Sequence, residues 1–284
     1  MSLEQARRLG AMMLSRRGVP LALVDRRAAF EAQMNAAPLP EDARFTPAEG
    51  GLWVDVPESA PDAAILWLHG GAFVLGSSAS YRGFGVRLAR AAQARVFLLD
   101  YPLSPESPFP AALEATSMAL ARLQGEGFAQ IAIGGDSAGA NLAVAAVQAS
   151  QAKPNACLLL SPYLDLTHSG ESVITRGSRD PFVDTSTMTD TAATYLGDAD
   201  PADIRVSPLF GDIDGFPPTL IQVGSEETLF SDAERFAKRL DAAHFAVTFQ
   251  EWAGMPHVWP IFAGQIDEGA WAIAQMGNFL RNLG

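Results

Sequence analysis

Ser137 stands in the stretch IAIGGDSAGANL, residues 131–142, where a short apolar run ends in two glycines and a small-residue helical pattern begins. A serine hydroxyl is a poor nucleophile at its free pKa. It attacks a carbonyl only with a base in hydrogen-bond reach, an exposed position, and N–H donors for the oxyanion that develops. A G-x-S-x-G elbow meets the second requirement: the turn is strained, and its glycines let strand and helix approach without side-chain clashes. Gly135-Asp136-Ser137-Ala138-Gly139 has this form and falls between a predicted strand and a predicted helix. The rival reading is a tight strand-to-helix turn whose serine caps the helix. Asp136, next to the serine, reads as structural.

The other requirements have candidates at matching places. His69-Gly70-Gly71-Ala72 follows an early apolar run, where a glycine loop can turn backbone N–H groups toward an oxyanion. Gly70, Gly71 and Ala138 are the expected donors, and His69 reads as a loop-orienting residue. The base is expected last in the chain, after an acid. Of the four histidines, His168 falls in a polar insertion and His244 at a helix end. His257 follows the final apolar run, in AGMPHVW, and is the candidate base. The acid is expected after the preceding run, TLIQV, where Glu227 and Glu226 compete, with Asp232 behind them. Asp232 also fits a plain role in the first turn of a helix, where a carboxylate meets the dipole favourably.

These residues need a frame, and the hydrophobic pattern supplies one. Apolar, β-rich runs at 63–69, 95–101, 131–135, 156–162, 219–225 and 246–252 predict strands. Helical patterns at 81–94, 111–124, 137–150, 231–243 and 268–283 separate them, the fourth opening on an apparent capping box, Ser231-x-x-Glu234. Continuous apolar strands alternating with helices predict a mostly parallel sheet covered on both faces, an α/β architecture. Residues 1–45 and 163–210 break the rhythm and are predicted to form a helical cap, leaving 46–162 and 211–284 as the two parts of the core. In the first of these segments Leu3, Ala6, Leu9 and Met13 recur at helical spacing beside Arg7, Arg8, Arg16 and Arg17, which predicts a helix packed on the protein's own body.

Composition narrows the function classes. The 284 residues are 48% hydrophobic and 18% charged, with a formal net charge of −12, which argues against nucleic acid or an anionic membrane as the main partner. The single cysteine, Cys157, lies in the apolar run ACLLLSP and reads as an inert buried hydrophobe. With no disulfide framework, no signal-peptide h-region and no membrane-length apolar stretch, the expectation is a cytoplasmic protein without stable membrane association.

Taken together, HGGAF (69–73), DYPLSPESPFPAALEA (100–115), GDSAG (135–139), SPYLDL (161–166), FPPTLIQVGSEETLFSD (216–232) and GMPHVW (254–259) resemble the hormone-sensitive-lipase family of α/β-hydrolases, the bacterial family IV esterases. The resemblance implies an α/β-hydrolase core, a helical cap, no cofactor and no metal, and hydrolysis of small short-acyl esters. Two departures stand out. Ala72 replaces the usual third glycine after the histidine. Glu227 fills the aspartate position of a G-x-x-D-x-L pattern, as in the branch resembling short-chain esterases and ε-lactone hydrolases, and this points to Glu227 as the acid. The prolines and Glu106 of YPLSPESPFP are expected to brace the oxyanion loop. Phe73, Tyr81, Trp259 and Phe262 are candidate substrate contacts, with Phe182 and Tyr195 as further ones. Many relatives dimerise through the sheet edge, here 246–252, so a homodimer is expected by analogy. Lactone hydrolysis, deacetylation of a small metabolite and amide hydrolysis would use the same groups. A non-catalytic ligand binder, like the gibberellin-type receptors that resemble this family, would lack the histidine that this chain keeps at 257.

Overall fold

The computed structural model describes residues 2–14 and 21–283. Arg16 and Arg17 of the N-terminal pattern lie outside these. Among the described residues, eight strands form one sheet: β1 (Arg44–Ala48), β2 (Gly51–Asp55), β3 (Ala60–Leu68), β4 (Ala94–Leu99), β5 (Gln130–Asp136), β6 (Ala156–Leu160), β7 (Thr219–Gly224) and β8 (Val247–Trp252). Their spatial order is β1-β2-β4-β3-β5-β6-β7-β8. The six strands from β3 onward run parallel, and the β1–β2 hairpin adds to β4 antiparallel.

The six parallel strands are those read from the sequence, within three residues at each end. The hairpin is an addition. Its strands are five residues long and β1 is almost wholly exposed, so no continuous apolar run marks it. Its signal is the glycine pair at 50–51: Ala48 pairs with Gly51 across a two-residue turn, and Gly50 takes φ 72°, a left-handed conformation that glycine adopts without strain.

Helices cover both faces. On one side α4 (Ala111–Gly125), α5 (Ala138–Ala149) and α8 (Phe230–Ala242) pack a core around Leu66, Phe97, Leu142, Leu159, Ile221 and Phe236. On the other, α3 (Arg82–Ala92) and α9 (Asp267–Arg281) pack over Ile65, Trp67, Val96, Leu158 and Leu220. Successive side chains of a strand point to opposite faces, so strands buried on both must be apolar throughout; β6 reads ACLLL and every residue in it is buried. The edge strand β8 departs from this, with Thr248 and Glu251 exposed and its other residues half-buried.

The N-terminal segment forms α1 (Ser2–Leu14) and α2 (Leu23–Met34), and α1 buries Ala6 and Leu9 against the second core, as its spacing predicts. The insertion at 163–210 forms α6 (Glu171–Arg176), α7 (Thr185–Leu196) and a 3₁₀ turn, with no strand. Helix α8 begins at Phe230, so Ser231 lies inside its first turn and caps nothing. The predicted capping box is corrected: Ser231 Oγ instead accepts the N–H of Ser172 from the insertion, at 2.9 Å. That long-range partner leaves no trace in the local pattern.

Parallel strands end on one edge of the sheet. The residues after β3, β5, β6, β7 and β8 therefore converge there, and they are His69 to Phe73, Ser137, Ser161, the loop to Glu227, and the loop to His257.

Candidate active site

Ser137 joins β5 to α5 with φ 52° and ψ −118°, a strained conformation for a residue with a side chain. The turn is held by the Ser137 N–H donating to the Leu160 carbonyl at 3.0 Å, and by its own carbonyl accepting the Tyr163 N–H at 3.2 Å. Glycine is required at 135 and 139 by proximity. A Cβ on Gly139 would run into the carbonyls of Leu68 and His69, and one on Gly135 into Gly139 itself. The result lifts Ser137 into partial exposure while its neighbours from Gly134 to Gly139 are buried.

His257 Nδ1 lies 2.9 Å from Glu227 Oε2, and both side chains are buried. The other carboxylate oxygen accepts Ser161 Oγ–H at 2.7 Å and the Gly224 N–H at 2.5 Å. Ser161 Oγ also accepts the Val258 N–H at 3.0 Å, so one hydroxyl ties both the Glu227 carboxylate and the loop carrying the imidazole. Burial alone would lower the His257 pKa. The hydrogen bond and charge of Glu227, with the charges of Asp180 and Asp136, outweigh it and leave the imidazole above its ordinary value. Burial pushes the Glu227 carboxyl up, and His257 pulls it partly back. No hydrogen bond joins Ser137 to His257 among the described residues, but the two line one cavity. Such contacts often close only when substrate binds.

The competing acids have other partners. Glu226 faces Arg179 at 3.7 Å. Asp232 is buried and accepts the N–H groups of Leu164 and Asp165 at 2.8 and 3.0 Å, which ties α8 to the start of the insertion. His168 packs on Tyr163, and His244 is exposed.

The loop after β3 is built from left-handed residues: Gly71, Ala72 and Phe73 have φ of 120°, 54° and 63°. His69 is buried, stacks on Tyr101 at 4.2 Å, and donates from Nδ1 to the Gly70 carbonyl at 2.8 Å. Burial drops its pKa to about 4, so it stays neutral and orients the loop. The expected donor set changes at Gly70. Its N–H donates to Tyr81 Oη at 3.1 Å, and Tyr81 in turn donates to Asp136 Oδ2 at 2.7 Å. Gly71 and Ala72 line the cavity and Gly70 does not, and among the described residues the N–H groups of Gly71 and Ala72 meet no hydrogen-bond acceptor. Ala138, at the first position of α5, carries an N–H with no intrahelical acceptor. Arg27 of α2 braces the loop from outside, donating to the carbonyls of Val74 and Ser104 and pairing with Glu106 at 2.7 Å.

The cavity measures about 320 Å³. Its walls come from the sheet edge, from Met13, Phe30 and Met34 of the N-terminal segment, and from Phe182, Val183 and Met188 of the insertion. Phe73, Tyr81 and Phe262 line it as expected, and so does Phe182. Trp259 does not. It is fully buried, packed on Trp252 at 5.6 Å with its indole N–H toward the Glu268 carbonyl, and is corrected to a core residue. Tyr195 is likewise buried, stacked 3.7 Å behind Phe73. Ser161 and Asp180 carry site geometry that sequence reading missed. Ser161 sits in the quoted SPYLDL stretch, directly after an apolar strand, and that position was its available signal.

With this geometry in view, comparisons with known proteins become decisive. A family model described as alpha/beta hydrolase fold matches residues 65–261. An acetyl-hydrolase from Streptomyces hygroscopicus is 42% identical, over 81% of this chain and 78% of its own. The chain belongs to the hormone-sensitive-lipase family of α/β-hydrolases. It is a carboxylic ester hydrolase. An esterase from Acinetobacter venetianus is 39% identical, over 77% of this chain and 75% of its own. A crystal structure of an esterase from the bacterial hormone-sensitive-lipase family superposes with a TM-score of 0.95 at 38% identity, covering 99% of each chain. No described helix is long and apolar enough to cross a membrane.

Proposed function

We propose that this family member is a serine carboxylesterase for small, short-acyl esters, working through Ser137, His257 and Glu227. The observation that carries the reading is the convergence of a strained serine and a carboxylate-held imidazole on one small, mostly apolar cavity. Ser137 Oγ attacks the ester carbonyl carbon as His257 Nε2 takes its proton. The carbonyl electron pair moves onto oxygen, where the N–H groups of Gly71, Ala72 and Ala138 hold it; one such donor contributes about 3 kcal/mol. The C–O bond then breaks, and His257 returns the proton to the leaving alcohol. Water attacks the acyl-enzyme with His257 again as base, releasing the acid and restoring Ser137. Glu227 holds the tautomer and stabilises the imidazolium throughout.

A volume of about 320 Å³ is at the low end for a ligand pocket, which favours short acyl chains. The test is turnover of p-nitrophenyl esters from acetate to decanoate. A maximum at four carbons or fewer supports the reading, and a maximum at eight or more contradicts it. A second reading, removal of acetyl groups from a small metabolite, is favoured by the acetyl-hydrolase relatives. A strict preference for acetate over butyrate would select it.

The same reading extends to assembly. Strand β8 is an edge with unpaired backbone groups, and two copies pair along it. Light scattering after gel filtration should give twice the monomer mass, and lysine at Thr248 should halve it. A wild-type monomer at micromolar concentration would contradict the pairing.

A further inference from the structure

The insertion at 163–210 does more than cover the cavity, because its first half is bonded to the loop that carries the acid. Ser172 exchanges backbone N–H bonds with Ser231, at 2.9 and 2.8 Å, and its hydroxyl donates to the Thr228 carbonyl at 2.6 Å. Arg176 donates to the Ser225 carbonyl at 2.6 Å and lies over the Phe230 ring. At the centre is Asp180, fully buried. Its Oδ2 accepts the N–H of Thr228, the residue after Glu227, at 2.8 Å. Its Oδ1 accepts the N–H groups of Phe182 and Val183, at 2.9 and 3.2 Å, and these two residues line the cavity. One carboxylate therefore joins the cavity wall to the acid loop.

We propose that Asp180 is a positioning residue for the reaction: through Thr228 it fixes Glu227 against His257, and its buried negative charge supports the imidazolium that forms during turnover. The inference rests on the assignment of Ser137, His257 and Glu227. Three carboxylates act on His257: Glu227 at its Nδ1, Asp180 behind the acid loop, and Asp136 from the elbow. All three favour the protonated imidazole. Among the described residues, the charged groups around Asp180 and the cavity wall are Arg176, Arg179 with its partner Glu226, Asp184 and Arg26. Asp180 meets both the wall and the acid loop through hydrogen bonds. Its second consequence is mechanical. A displacement of Phe182 and Val183 by a bulky substrate pulls on the peptide beside Glu227, so substrate fit and triad alignment are coupled.

The test is the pH profile of kcat/KM for p-nitrophenyl butyrate in the wild type, Asp180→Asn and Ser172→Ala. Asparagine keeps the size but removes the charge and sets an amide against one N–H donor. The expected result for Asp180→Asn is a kcat lower by about ten- to hundredfold and an acid limb moved about half to one pH unit lower. Ser172→Ala cuts a neighbouring tie without changing charge and should leave the acid limb in place. An Asp180→Asn acid limb at the wild-type position would overturn the proposal and reduce Asp180 to a structural anchor. Should that variant not fold, Asp180→Ser takes its place with the same expectation, and failure of both to fold would equally assign Asp180 to the fold alone. A wild type without esterase activity would instead remove the assignment beneath the proposal, so the two failures are separable.

Discussion

Glu227 is one methylene longer than the aspartate of the usual pattern, and the site accommodates it by giving Oε1 two donors and Oε2 to the imidazole. Glu227→Gln keeps the shape but offers an amide to Nδ1–H, and should lower kcat by about 10²- to 10⁴-fold. Glu226→Gln should stay within about threefold of wild type, because its partner is an exposed arginine. Equal losses in the two variants, read by steady-state kinetics, would overturn the choice between them. The pH dependence follows from His257. Its folded pKa is raised, and the working form is the neutral base, so kcat/KM should fall as pH drops through a value above the ordinary 6.5. An activity flat from neutrality to pH 4 would contradict the role. The placement of Ser137 and His257 on one cavity, and of Glu227 against His257, was legible in the sequence, because chain order and flanking strands mark them. Gly70 was misassigned, since the direction of an N–H depends on φ and ψ within the loop and on Tyr81, a distant residue.

Elements set the places of these residues, and around the elbow the closest approaches are backbone to backbone. Gly139→Ala would drive a Cβ into the end of β3 and push α5 away from the sheet. A destabilisation of about 3 kcal/mol and loss of turnover are expected, measured by urea unfolding and ester hydrolysis. Helix α8 offers a pH test. Burial raises the Asp232 carboxyl from 3.8 to about 7, so between those values the folded chain holds a proton that the unfolded chain releases. Its stabilising contribution is complete below about 4 and falls as pH rises toward 7, by up to about 1.4 kcal/mol per pH unit. Asp136, raised to about 6, acts in the same sense. In Asp232→Asn the loss of stability between pH 5 and 7.5 should be smaller than in wild type; an unchanged difference would contradict the buried-acid account. The strands of the parallel sheet were readable because double-sided burial forces continuous apolar runs. The β1–β2 hairpin and the role of Ser231 were not, since one is a short exposed edge and the other is set by contacts across the chain.

At the scale of the molecule, the sheet edge presents Ser137, His257 and the loop after β3, while two separate segments of the chain close the cavity above them. The alternating pattern made the first part predictable. The second was predictable only as helical cover, because cavity shape arises from how α1, α2 and the insertion pack, and no local period encodes that. Trp259 shows the limit: an aromatic two residues past His257 reads as a pocket residue and lies in the core. The central claim is that Ser137 forms the acyl-enzyme, and a covalent trap tests it most directly. The enzyme is treated with a p-nitrophenyl alkylphosphonate, and nitrophenol release and the mass of the digested protein are measured. The account predicts one equivalent of nitrophenol, loss of esterase activity in step with it, the adduct on the Ser137 peptide, and neither adduct nor turnover in Ser137→Ala. Turnover persisting in Ser137→Ala, or an adduct elsewhere accompanying inactivation, would contradict it.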